Sequence, residues 1–231
     1  MADVRLVIFD CDGVLVDSEP LAMRVLLEGL AAAGCAIDEA AAYDRFLGRS
    51  LASMQAVLRN ERGVELSQEQ LEAMRLRLFE VYRQELVPIP GIVAALDQLT
   101  IPRCVASSSQ SERLRFSLEV TGLLPRFAPH LFSASMVARG KPAPDLFLHV
   151  AERMAVAPVD CLVVEDSAAG IEAAKRAGMR VFGFVGGSHA RSAAYRAGLA
   201  ALVPDLIFDD ISKLPGLIRS AAEDSAGAAV R

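Results

Sequence analysis

The stretch RLVIFDCDGVLVDSE occupies residues 5–19, and its first half decides the fold. An uninterrupted apolar run, Leu6 to Phe9, stops abruptly at Asp10, Asp12 and Gly13. A strand buried on both faces of a parallel sheet needs such a run, because neither of its faces meets water. Alternate strand residues project to the same side, so Asp10 and Asp12 point together while Cys11 turns toward the core. Gly13 permits the tight exit. Two carboxylates held side by side either share a cation or divide nucleophilic and acid–base duties. A lone Asp at a strand end is more often a turn former. D-x-D also opens a calcium loop, but Val14 and Leu15 would take its fifth and sixth positions, and a strand rather than a helix precedes it.

Outward from this stretch, short apolar runs alternate with helical patterns, which is the rhythm of βαβ units. Strands are predicted at Arg5–Asp10, Arg103–Ser107, His130–Ser133, Cys161–Asp166, Arg180–Val185 and Leu206–Asp209. The interval after the first strand breaks the rhythm. Glu19–Ala33 is an amphipathic helix candidate. Ser67 with Gln70 forms a capping box, and Leu71, Met74, Leu78 and Val81 share a face beyond it. VPIPG at 87–91 then stops the helical run. The fold class is therefore α/β: a Rossmann-like doubly wound parallel sheet built from residues 1–16 and 88–231, with a helical cap domain, 17–87, inserted after the first strand. The small polar tail from Ser220 to Arg231 is expected to fray.

Composition agrees with one sizeable core: 231 residues, 53% hydrophobic and 23% charged. No run approaches the ~18 uncharged apolar residues of a membrane span, and MADVRLVIFD is too short and too acidic for a signal peptide. A cytoplasmic, membrane-free monomer is the default expectation. The formal net charge of −5 argues against a nucleic-acid partner, whose binding rests on phosphate neutralisation. Cys11, Cys35, Cys104 and Cys161 lie far apart and read as buried reduced thiols. His130, His149 and His189 form no HExxH pattern, and no GxSxG elbow is present.

Three more constellations fall at or just after the ends of predicted strands. They are Glu165-Asp166, Ser107 opening the SSSQSE run, and Lys141 in Gly-Lys-Pro-Ala-Pro-Asp. Taken singly, the serines suit helix capping near Ser111, Lys141 suits solvation, and Asp145 suits capping of the next helix. Together they converge on the carboxyl edge of the sheet, where open α/β folds place ligands. Four carboxylates would repel one another and any anionic substrate, so a divalent cation is needed. Oxygen-only donors suit Mg²⁺, and Lys141 with the Ser107 hydroxyl are natural phosphate partners.

FDCDGVLVDSE, the strand-ending Ser107, Lys141-Pro-x-Pro-Asp and VVEDSAAGIEAAKRAGM resemble the four ordered motifs of the haloacid dehalogenase superfamily. The likeness spans the whole chain and points to members with a helical cap after the first motif. Sugar-phosphate phosphatases, 6-phosphogluconate phosphatases among them, and β-phosphoglucomutases are the most similar. The resemblance implies a small phosphorylated metabolite, such as a sugar or sugar-acid phosphate, as substrate. It implies Asp10 as nucleophile through an aspartyl-phosphate and Asp12 as general acid and base. Mg²⁺ would be held by Asp10, the Asp12 carbonyl and Asp166, with Glu165 as ligand or supporting partner. Phosphate would be held by Gly13, Ser107, Ser108 and Lys141. Glu19, Arg49 and Ser50 in the cap, with Arg45 nearby, are candidates to read the leaving group; the alternative is that the arginines are solvated or salt-bridged. A mutase of the β-phosphoglucomutase type would carry a histidine shortly after the first motif, and Asp17–Ala22 has none. A phosphoglycolate phosphatase and a non-catalytic phosphate-binding module are the other readings.

Overall fold

The computed structural model describes residues 3–46 and 51–228. In chain order its elements are β1 (Leu6–Phe9), α1 (Glu19–Ala32), α2 (Glu39–Phe46), α3 (Leu51–Arg62), α4 (Gln68–Glu85), α5 (Ile92–Gln98), β2 (Arg103–Ser107) and α6 (Ser111–Val120). Then follow β3 (Leu131–Ser133), α7 (Asp145–Arg153), β4 (Cys161–Glu165), α8 (Ala168–Arg176), β5 (Arg180–Phe184), α9 (Ala193–Ala201), β6 (Leu206–Phe208) and α10 (Leu214–Ala228). All six strands pair in parallel in the order β3-β2-β1-β4-β5-β6. The order reverses direction at β1, so the end of β1 is flanked by the ends of β2 and β4. That reversal is the crevice where doubly wound sheets bind ligands.

The strands lie where the sequence predicts them. β2 matches end for end, and the others lose a residue at one or both ends. Side-chain alternation divides the core. Val7 and Phe9 pack with Val105, Leu162 and Val164 beneath residues of α5, α6 and α10. Leu6 and Ile8 pack with Cys104, Ala106 and Val163 against α7 and α8. Cys11 joins the first of these clusters, fully buried, and all four cysteines are buried free thiols.

Residues between β1 and β2 build a third, separate apolar cluster. Met23, Leu26 and Leu30 of α1 meet Phe46, Met54 and Leu58, with Leu71 and Met74 of α4 against them. The predicted capping box starts α4: Ser67 Oγ accepts from the Gln70 amide at 3.1 Å, and Gln70 Oε1 accepts from the Ser67 amide at 2.8 Å. Farther along α4, Leu78 and Tyr82 leave this cluster for the main core, so one helix fastens the insertion to the sheet. Chain entry and exit run side by side: the Asp17 amide donates to Val87 O at 3.0 Å, and the Ile89 amide to Leu15 O at 2.9 Å.

One local expectation is corrected. Asp145 does not cap α7; Pro144 holds that position without a side-chain bond. The Asp145 carboxylate is taken by the Arg139 guanidinium at 3.0 and 2.8 Å, since a bidentate charged donor outcompetes backbone amides. The tail continues as α10 from Ser220 to Ala228, consistent with the high helix propensity of its alanines, and the last three residues of the expected frayed segment lie outside the described residues. Among the described residues no helix is long and apolar enough to cross a membrane.

Ile8 is fully buried at the centre of the sheet. Ile8→Ala should therefore lower unfolding free energy by about 2–5 kcal/mol, measured by urea titration.

Candidate active site

Asp10 directly follows β1, and its amide still donates to Val164 O at 3.0 Å. Its carboxylate meets Lys141, whose Nζ lies 2.5 Å from Asp10 Oδ1, 2.5 Å from Glu165 Oε1 and 3.0 Å from Ala106 O. All three ammonium protons are thus used. Glu165 is likewise saturated: Oε2 accepts from the Ser167 amide and hydroxyl, both at 2.9 Å. Ser167 also caps α8, accepting from the Gly170 amide at 3.1 Å. A Cβ at Gly170 would overlap the Glu165 carboxyl, so the close approach requires glycine. Burial tends to strip the Lys141 charge, but Asp10 and Glu165 hold its pKa above the ordinary value.

Asp12 faces a different set of donors. Ser18 Oγ lies 2.6 Å from Oδ1 and Ser109 Oγ 2.7 Å from Oδ2. Arg113 Nη2 lies 2.9 Å from Oδ1, and Ser107 Oγ makes a longer 3.4 Å contact. Burial pushes the Asp12 carboxyl up, but Arg113 and these hydrogen bonds outweigh it and leave the group below its ordinary value. The Arg113 guanidinium also lies over the Tyr82 ring of α4, 5.6 Å from its centroid.

Asp166 completes the group one residue beyond β4. Its Oδ2 lies 2.8 Å from His189 Nε2. Gly13, at φ +83°, sits against both, and a Cβ there would strike the carboxylate and the imidazole. Asp17 accepts from the Ser188 amide at 3.1 Å and from its hydroxyl at 2.5 Å, which ties the turn after β5 to the chain entering the insertion. Burial, reinforced by the neighbouring carboxylates, raises Asp10 and Asp166 well above the ordinary range, with Lys141 opposing. Burial likewise pushes the His189 imidazole down.

A cavity of about 670 Å³ opens over these groups between sheet and insertion. Asp10, Asp12, Glu165, Asp166 and Ser108 line its floor, while Glu19, Met23, Phe46, Leu71 and Arg75 come from the insertion. Of the residues singled out in the sequence, Asp10, Asp12, Gly13, Glu19, Ser107, Ser108, Lys141, Glu165 and Asp166 all gather here. Arg45 is ion-paired to Glu61. Arg49 and Ser50 lie outside the described residues. Sequence reasoning passed over Ser18, Ser109, Arg113 and His189. Ser109 lies in the turn between β2 and α6, Arg113 in the first turn of α6, and His189 in the turn after β5, so the edge rule already applied to Ser107 would have reached all three.

A model of the haloacid dehalogenase-like hydrolases matches residues 4–178. The chain belongs to this family. It is 34% identical over 190 residues to the 6-phosphogluconate phosphatase of Escherichia coli (strain K12), covering 82% of this chain and 86% of that one. It is 33% identical over 176 residues to the fructose-1-phosphate phosphatase YqaB of the same organism, covering 74% and 92%. A haloacid dehalogenase-like protein of unknown function from Agrobacterium tumefaciens str. C58 superposes with TM-score 0.80 at 39% identity, over 94% of this chain and 99% of that one.

The donor set of this haloacid dehalogenase-like hydrolase fits a hard divalent cation. Among the described residues no three His, Cys, Asp or Glu side chains form a ready-made metal cage. Mg²⁺, however, needs only one or two carboxylates and keeps several waters. Asp10, Asp12, Glu19, Glu165 and Asp166 surround the end of β1; among the described residues Lys141 pairs with Asp10 and Glu165, Arg113 with Asp12, and the His189 imidazole lies against Asp166. Burial first, and then repulsion from neighbouring carboxylates, raises Asp10 and Asp166 against the pull of Lys141, and a bound cation would favour their ionised forms.

Glu19, 9% exposed, is raised by burial from 4.5 to about 8. The folded protein keeps this proton where the unfolded chain has lost it, so the resulting stability is full below pH 4.5 and is lost as pH rises through about 8. In metal-free protein, Glu19→Gln should gain stability over wild type between pH 5 and 8, on the order of 1 kcal/mol or more by urea unfolding at each pH.

Proposed function

We propose that this hydrolase is a Mg²⁺-dependent phosphatase acting on a sugar or sugar-acid phosphate, with residues 17–87 as its cap. The observation that carries this reading is the placement of Asp10 at the central strand end, aligned by Lys141 and open to a cavity large enough for a phosphorylated metabolite. The similarity to two phosphatases of such compounds supports the substrate class.

In this reading an Asp10 carboxylate oxygen attacks phosphorus while the bond to the leaving oxygen breaks, giving an aspartyl-phosphate. Asp12 supplies the proton taken up by the leaving oxygen. It then removes a proton from the water that attacks the aspartyl-phosphate, and inorganic phosphate leaves with Asp10 restored. Arg113, Ser18 and Ser109 favour the ionised form of Asp12, so loading its proton requires the Arg113 contact to loosen. Ser107, Ser108 and the Gly13 loop border the phosphoryl position. Lys141 neutralises its charge, and Glu165, both oxygens already engaged, orients Lys141 rather than binding metal. Asp10, Asp166 and the Asp12 carbonyl would hold Mg²⁺, which when bound neutralises charge on the transferring phosphoryl group. Glu19 from the cap, together with Arg75 and Arg113, faces the leaving group. A guanidinium there suits a sugar-acid carboxylate.

Phosphate release should be measured across sugar phosphates, sugar-acid phosphates and phosphoglycolate, with Mg²⁺ and with EDTA. Turnover is expected on sugar or sugar-acid phosphates only with Mg²⁺, and Asp10→Asn should reduce it by several orders of magnitude with an unchanged far-UV spectrum. Persistence of turnover in EDTA would remove the metal, and persistence in Asp10→Asn would remove the nucleophile.

A second experiment separates the role of Asp12. Asp12→Ala should slow a sugar phosphate far more than p-nitrophenyl phosphate, whose leaving group departs without a proton. Equal losses in kcat/KM, which reports departure of the leaving group before Asp12 acts as base, would rule out general-acid catalysis by this residue.

A further inference from the structure

His189 touches the proposed metal-binding carboxylate and has no part in the reaction above. It stands in the turn Ser188–Arg191 after β5. Its side chain is fully shielded, 0% exposed, with Nε2 2.8 Å from Asp166 Oδ2. The ring meets Tyr195 edge-on, centroids 5.4 Å apart, and Tyr195 donates its hydroxyl proton to the Asp166 carbonyl oxygen at 2.8 Å. Asp166 is therefore approached at its carboxylate and bonded at its backbone by neighbouring side chains. Room for the imidazole is reserved by glycine, since a Cβ at Gly13 or Gly187 would strike the ring.

Neither ring nitrogen completes a hydrogen bond, although Nε2 lies 2.8 Å from Asp166 Oδ2. A buried polar atom without a partner costs about 1–3 kcal/mol, so its retention calls for an explanation. Asp166 lines the cavity, and the fully shielded His189 side chain lies against its carboxylate.

From these contacts we propose that His189 is a positioning residue for the divalent cation, donating from Nε2–H to Asp166 Oδ2 so that the other carboxylate oxygen is left to the ion. This rests on the reading of Asp166 as a metal ligand. Supporting partners of this kind typically tune metal affinity ten- to a hundredfold. The role belongs to the hydrogen-bond donor, not to the shape of the ring.

Mn²⁺ binding to substrate-free protein, followed through the electron paramagnetic resonance signal of the free ion, tests it in wild type, His189→Leu, His189→Phe, His189→Gln and Asp166→Asn. His189→Leu and His189→Phe should bind about tenfold or more weakly, while His189→Gln, which restores an N–H donor, should recover most of the affinity. The two apolar variants differ in shape, so a melting curve showing one misfolded leaves the other to answer. Wild-type affinity in a folded apolar variant, with binding lost in Asp166→Asn, would overturn the role of His189 alone. Equal weakening in all three His189 variants would overturn the donor. A wild-type protein that binds no Mn²⁺ would overturn both the metal reading and this inference.

Discussion

A single ammonium group surrounded by buried carboxylates is the constraint on which the centre of this molecule depends. Lys141 bridges Asp10 and Glu165 with its side chain only 1% exposed. Three segments distant in sequence, the end of β1, the loop before α7 and the end of β4, are joined through one nitrogen. Removing one partner of such a buried pair strands the other charge in low dielectric, which is far more costly than never having placed the pair there. The saturation of Glu165 by Ser167 follows from the same requirement: a carboxylate that must hold a lysine in place has its remaining oxygen satisfied locally, by the cap of α8.

The floor of the cavity is also coupled to the insertion above it. Asp12 is bonded by Ser18, the residue immediately before α1, and by Arg113, which rests on Tyr82 of α4. Movement of either insertion helix therefore acts on the proposed acid–base group. Asp17 carries a parallel link to the turn that presents His189. The insertion is thus joined to these side chains at its chain entry, not only through the cavity it borders.

Much of this was legible along the chain because its causes are local. Continuous apolar runs can be strands only where both faces are covered, and that alone located the sheet. The capping box at Ser67 was readable for the same reason: both its bonds close within three residues. The expectation for Asp145 failed because its strongest partner, Arg139, lies across a proline-stiffened loop whose path the sequence does not give. The serines after β2 show the same limit. Any of them suits a helix cap, yet the first turn of α6 begins at Gln110 without a side-chain cap, and the Ser109 hydroxyl goes to Asp12.

The sequence by itself determined the α/β class, the helical insertion, and that Asp10, Asp12, Ser107, Lys141, Glu165 and Asp166 meet at the carboxyl edge of the sheet, because strand periodicity and the parallel crossover rule leave little freedom once the runs are found. Only the tertiary structure decided how those groups divide: Lys141 with Asp10 and Glu165, Arg113 with Asp12, His189 with Asp166. Pairings of that kind depend on side-chain directions and on distances of about 3 Å between segments more than a hundred residues apart, such as Asp12 and Arg113. No periodicity or spacing along one chain encodes them.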